Sequence, residues 1–335
     1  MKRSKVSALL ATVLAGVIAA SVAGPASADF TPQPKDIVGS GSDTTQFAMN
    51  NVADGAISSG LFAAGYNSGA SARLVSWDAI TTDGLTHNSI TLKAGTTPIV
   101  RPNGSTEGKA LLWGATNNTA ANFARSSSSL SAAEIAGNVY LVPFAKDGIE
   151  LAVRASGHNS PASITPAQMV NIYKGTTTNW NQIGGTAGTI VPMIPQPGSG
   201  TRATFEAQLK AANGGVAVVL GAAVVEVQEH DAAPIAANAN AVAPFSTGRA
   251  SFAPSISLVE GAGSWAYTRA LYNVVRQADL TKPFFSSIFG ADGYLCSGGA
   301  QPLVEAAGFQ QLAVSIDGGV CGVPTQAATS NFTVN

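Results

Sequence analysis

The chain has 335 residues, of which 45% are hydrophobic and only 11% charged, with 36 glycines and 17 prolines. At roughly 100 to 200 residues per domain this length suggests two domains with full cores, and so few charges exclude disorder driven by charge repulsion. A net charge of -1, with no run of Lys or Arg, excludes the basic surface that sequence-independent nucleic-acid binding requires.

The N-terminus places Lys2, Arg3 and Lys5 before an apolar stretch, residues 6–23, and then Ala26-Ser27-Ala28. This order predicts a secretory signal peptide, residues 1–28, cleaved before Asp29; a retained membrane anchor is the competing reading of the same stretch. Removing three cations from 18 and no acids leaves 15 basic against 19 acidic residues, a net charge of -4. No cysteine stands near the cleavage position to carry a lipid, and the apolar run 214–225 is too short to span a bilayer. A soluble, extracytoplasmic monomer is the expectation.

Residues 36–39 read as a first strand, followed by a glycine turn and a helix over 43–56 with Phe47, Val52 and Ala56 among its apolar positions. Ser131 with Glu134, and Thr165-Pro166 with Gln168, are capping boxes, and the second of these helices should end near Gly175. Residues 190–194 repeat the order of apolar strand, glycine turn and helix, with Phe205 and Leu209 one helical turn apart. Short apolar runs alternating with capped helices predict an α/β fold. Near the C-terminus, Cys296 and Cys321 read as one disulfide in an oxidising compartment.

Two hydroxyl-rich glycine turns, 39–45 (GSGSDTT) and 198–202 (GSGTR), stand where a strand hands over to a helix. A helix start offers unpaired N–H groups and a positive dipole end, glycine admits an oxyanion to the backbone, and Ser or Thr adds neutral donors. Arg202 could add a charge-assisted contact. The plainer reading is that Ser42 and Ser199 only cap helices. Further clusters of the same composition are 102–108, 125–128 and 76–78. Sharper motifs fail. The GSTEGKA sequence at 104–110 has the wrong glycine spacing for a nucleotide-binding loop, no G-x-S-x-G elbow marks a hydrolase, and His87, His158 and His230 are too scattered for a zinc motif. No catalytic residue, metal or cofactor is expected.

These residues resemble the phosphate-binding proteins of ABC importers, the PstS-like proteins of the type II periplasmic-binding fold, and most closely the secreted actinobacterial-type members. The resemblance is carried by 38–45 (VGSGSDTT), 123–127 (FARSS), 142–146 (VPFAK), 172–175 (IYKG) with Asn179-Trp180, 195–205 (PQPGSGTRATF) and 243–246 (APFS). It implies an α/β fold of two lobes joined by two crossing strands, with residues 29–143 and 247–335 forming the first lobe and 144–246 the second. It further implies an oxyanion, most simply inorganic phosphate, held between the lobes for delivery to an importer permease, with no chemistry performed.

Carried over by position, the resemblance assigns the ligand to Ser42, Asp43, Thr44 and Thr45, to Ser105 and Thr106, to Arg125 and Ser127, and to Ser199, Gly200, Thr201 and Arg202. Ser127 stands where well-studied phosphate binders have an aspartate that accepts a hydrogen bond from protonated phosphate. Selection of hydrogenphosphate over sulfate is therefore open, with Asp43 a candidate acceptor. Two other readings compete: a secreted phosphoester hydrolase using the same pocket, and a surface protein of this fold that has lost its ligand.

Overall fold

The computed structural model describes residues 31–335 apart from residue 82; the expected signal peptide lies outside the described residues. The apolar run at 37–39 opens β1 (Ile37–Gly41), after which Asp43 and Thr44 stay in a turn and α1 covers Gln46–Asp54. This helix is shorter than the sequence suggests because Gly55, at φ 94°, ends it and Ala56 enters a hairpin of β2 (Gly55–Ser58) and β3 (Leu61–Ala64). Next come β4 (Leu74–Ser76), the small pair β5 (Ser89–Ile90) and β6 (Ile99–Val100), α2 (Ser105–Ala110) and β7 (Phe123–Ser126). Both capping boxes form: Ser131 caps α3 (Ala132–Ala136) and Thr165 caps α4 (Pro166–Lys174), which closes on left-handed Gly175. Between them runs the long strand β8 (Val139–Arg154).

The second strand, turn and helix unit is β9 (Val191–Pro195) and α5 (Gly200–Ala212), in which Phe205 and Leu209 are buried as their spacing requires. It is followed by β10 (Val225–Val227), β11 (Ala241–Ser246), β12 (Ile256–Leu258), the long β13 (Ala266–Arg276) and β14 (Gln310–Gln311). Strands β10-β9-β11-β8-β13-β7-β1-β4 hydrogen-bond in that order, with β12 and β14 also on β8. The strands at each end are parallel, while the central pair β8 and β13 is antiparallel. No helix of the described residues is long and apolar enough to cross a membrane.

Apolar packing divides along β8 and β13. Val139 to Ala145 on β8 and Ala270 to Val275 on β13 belong to one core cluster with β1, β4 and β7. Ile149, Leu151 and Val153 belong to a second cluster with α4, α5 and Trp265. A third, smaller cluster around Phe245, Ile256 and Met193 covers the other face of the β11 region. Residues 256–265 pack with the second and third clusters and β13 enters the first at Ala270, while Gly248 lies against Phe309 of the first cluster and Arg249 and Phe252 meet Asp43 and Phe47 beside β1. Cys296 and Cys321 are bonded, with Cα atoms 5.7 Å apart, and both lie buried in the first cluster.

Candidate oxyanion site

The break between the two main cores falls on Lys146, Asp147 and Gly148 of β8 and on Thr268 and Arg269 of β13. Asp147 and Arg269 are cross-strand partners, and the guanidinium donates to Asp147 Oδ2 from Nη2 at 2.8 Å and from Nε at 3.1 Å. Asp147 Oδ1 accepts from the Ser246 hydroxyl at 2.7 Å. A buried charge survives in an apolar protein only when paired and hydrogen-bonded. This pair meets that condition and leaves Arg269 free to donate onward.

The first glycine turn reaches the same place. Gly41 adopts φ 127°, and a Cβ there would stand 2.6 Å from the Arg125 carbonyl oxygen, so only glycine carries the chain from β1 into the turn. Arg125 is fully buried and donates to the carbonyl oxygens of Ser42 (3.0 Å) and Trp77 (2.6 Å) and to Ser76 Oγ (2.6 Å). Burial lowers its pKa to about 10, partly offset by Asp78 and Asp43. Its hydrogens are spent on fastening the turn.

Four elements then converge on Ser127. Ser42 Oγ donates to Ser127 Oγ at 3.0 Å, and Thr44 Oγ1 and Ser105 Oγ lie 3.1 and 3.4 Å from it. The Ser127 N–H donates to Ser105 Oγ at 3.0 Å. From the far end of the sheet, Thr201 Oγ1 comes within 3.5 Å of Thr44 Oγ1. Arg269 Nη2 donates to Thr201 Oγ1 at 3.0 Å and reaches Thr44 Oγ1 at 3.5 Å, and Nη1 donates to the Ser127 carbonyl at 3.0 Å. Gly200 allows this approach: a Cβ there would lie 2.2 Å from Ser127 Oγ and 2.3 Å from Ser105 Oγ. All five hydroxyl residues are buried. Neutral hydroxyls, a helix start and one arginine form a donor set suited to an oxyanion.

The PBP superfamily domain matches residues 31–284. The chain belongs to this family. Among solved structures it is similar to a provisionally assigned phosphate ABC transporter substrate-binding protein of Clostridium perfringens with bound phosphate. The TM-score is 0.58 at 18% identity, over 83% of this chain and 99% of that one. It is also similar to a high-affinity periplasmic phosphate-binding protein, PfluDING, bound with phosphate, with a TM-score of 0.52 at 15% identity over 84% and 91% of the two chains. At these identities the likeness is one of fold. No curated protein matches the chain.

Other residues singled out from the sequence lie outside the hydroxyl cluster. Arg202 turns away: it pairs with Glu226 at 2.6 Å and Glu206 at 2.9 Å and donates to the Pro195 carbonyl. The position next to the glycine turn is one helical residue past the inward-facing Thr201, which sends its side chain along the outside of α5. Ser199 is a helix cap whose Oγ accepts from the Arg202 N–H at 3.0 Å. Thr106 is exposed, and its N–H donates to the Gly198 carbonyl at 3.1 Å, holding the start of α2 against the second glycine turn. Thr45 is buried at the start of α1, its hydroxyl without a hydrogen-bond partner.

Asp43 faces a different set. His230 Nδ1 lies 3.1 Å from Asp43 Oδ2, and Arg249 Nη1 lies 3.4 Å from Oδ1. Burial alone would raise the Asp43 pKa, but Arg249 and the hydrogen bond with His230 outweigh it and hold the carboxyl below its ordinary range. Among the described residues, Asp43, Glu229 and His230 bring metal-type donor atoms within 4.8 Å of one another. Arg249 already supplies positive charge beside Asp43.

Arg269, Asp147 and Glu229 escaped the sequence reading. A lone charge inside an apolar strand run was the available signal for Arg269, since it marks a position that must be paired once buried, whereas Asp147 follows Lys146 and stands out less. Which two charges meet depends on the register of β8 against β13. Glu229 follows β10 in a loop and carries no local signature.

Proposed function

We propose that this protein is an extracytoplasmic solute-binding protein that captures an oxyanion, inorganic phosphate, and passes it to an ABC importer without chemical change. The observation that carries the reading is the convergence of Ser42, Thr44, Ser105, Ser127 and Thr201 on one buried point that Arg269 also reaches. Family membership and the phosphate found in relatives of the same fold support it. In this reading the two main apolar clusters are the lobes, β8 and β13 run between them, and the chain first meets the first lobe again around Gly248 and Arg249. Ligand oxygens take over the donors that now meet one another, so each lobe holds the same anion and closure follows from shared contacts. The signal peptide delivers the chain to the compartment where its disulfide is stable.

The test is calorimetric and thermal-shift titration of anion-stripped protein with phosphate, arsenate, sulfate and molybdate. Ligand at one hundred times its dissociation constant stabilises a fold by about 2.7 kcal/mol. A failure of every oxyanion to bind would leave the reading without support and favour the surface protein that lost its ligand.

A further inference from the structure

Glu229 is 1% exposed, and its carboxylate sits inside the hydroxyl cluster. Oε1 accepts from the Thr201 backbone N–H at 3.1 Å, at the start of α5, and from Thr44 Oγ1 at 3.2 Å. Oε2 is buried with no hydrogen-bond partner. The other two carboxylates of the region face arginines: Asp147 meets Arg269 at 2.8 Å and Asp43 meets Arg249 at 3.4 Å. Glu229 is held instead by a helix-start N–H and a hydroxyl, the donors that suit an external oxyanion.

Its sequence neighbours tie the same loop across the site. Asn103 Nδ2 donates to Gln228 Oε1 at 2.9 Å, His230 pairs with Asp43, and the Glu229 N–H donates to Gln196 Oε1 at 2.7 Å. His230 adopts φ 59°, an uncommon conformation for a residue with a side chain, which turns the loop so that successive side chains 228–230 all point to residues of the 43–103 region.

We propose that Glu229 is a tethered internal anion of the oxyanion site, and that an incoming oxyanion exchanges with its carboxylate at Thr201 and Thr44. The inference rests on the oxyanion reading above. Two anions cannot share these few neutral donors without strong repulsion in a buried site, so the ligand binds as Glu229 leaves and the 228–230 loop is released. Glu229 thereby sets affinity: it competes with the ligand, and it keeps the donors satisfied until one arrives.

Calorimetry with inorganic phosphate and with sulfate, on the wild type and on Glu229→Gln, tests the exchange. The amide keeps the shape and removes the charge, so both anions should bind at least tenfold more tightly to the variant. Hydrogen–deuterium exchange of the unsubstituted protein gives a second readout, in which saturating phosphate should raise exchange at residues 227–231. Unchanged or weaker phosphate binding by Glu229→Gln, or lowered exchange in that loop, would overturn the proposal, and weaker phosphate binding with sulfate binding not weakened would make Glu229 an acceptor for the ligand's own proton instead. Absence of binding to both proteins would instead overturn the oxyanion reading, and this proposal with it.

Discussion

Arg269 and Asp147 stand opposite each other on β13 and β8, and their side chains meet at 2.8 Å where the protein's two main apolar cores separate. The carboxylate orients the guanidinium, and the guanidinium's remaining hydrogens point to Thr201, Thr44 and the Ser127 carbonyl. A pair placed on both long strands can feel both ends of the sheet at once.

Replacing Arg269 by lysine should keep the charge and lose the forked geometry. Phosphate affinity is expected to fall by tenfold or more, with the fold retained by circular dichroism. Arg269→Ala should unfold more easily by about 3 to 5 kcal/mol, because it strands Asp147. Titration calorimetry and denaturant unfolding on the two variants separate binding from stability.

Thr201 and Arg202 are neighbours with opposite fates. A hydrogen bond to a charged group contributes about 1.5 to 3 kcal/mol, so Thr201→Ala should weaken phosphate binding by tenfold or more. Arg202→Ala should change it less than threefold, since that side chain is engaged by Glu206 and Glu226 on the surface. Equal losses in the two variants would contradict the geometry.

Gly200→Ala should push Ser127 and Ser105 off the cluster, because the added methyl falls 2.2 and 2.3 Å from their hydroxyl oxygens. We expect a loss of about 1 to 3 kcal/mol in stability from overpacking, together with loss of oxyanion binding in a titration of the folded variant.

Asp43 links stability to acid. Its folded pKa lies below the ordinary value near 3.8, so its contribution is present above that value and is lost as pH falls through the folded one. Asp43→Asn should therefore be less stable than the wild type at pH near 7, and the gap should narrow as pH drops below about 4. Urea unfolding at a series of pH values measures the gap.

The disulfide is expected to stabilise without binding. Free-thiol titration of the denatured, unreduced protein should find almost none, and the double variant Cys296→Ser with Cys321→Ser should lose about 3 kcal/mol on the chain-entropy account. Its phosphate affinity should match that of the wild type, as both cysteines are buried in the first core and have no contact with the hydroxyl cluster.

The sequence by itself determined what local chemistry governs. The two strand, glycine turn and helix units, the capping boxes at Ser131 and Thr165, the stop at Gly175 and the inward face of α5 follow from spacing over a few residues. It also picked out Ser42, Thr44 and Thr201, because glycine-rich turns before helices concentrate donors, while Ser105 and Ser127 were pointed to by the resemblance to phosphate-binding proteins. Only the tertiary structure decided the charges. Arg125 and Arg202 were the arginines beside those turns, yet the first is engaged by backbone carbonyls and the Ser76 hydroxyl and the second by surface glutamates. Arg269 reaches the cluster instead because the register of β13 against β8 sets it opposite Asp147. Glu229 arrives from a loop 28 residues past Thr201. Burial makes each unpaired charge costly, so the partner a side chain finds across the fold, and not its neighbour in the chain, settles where it points.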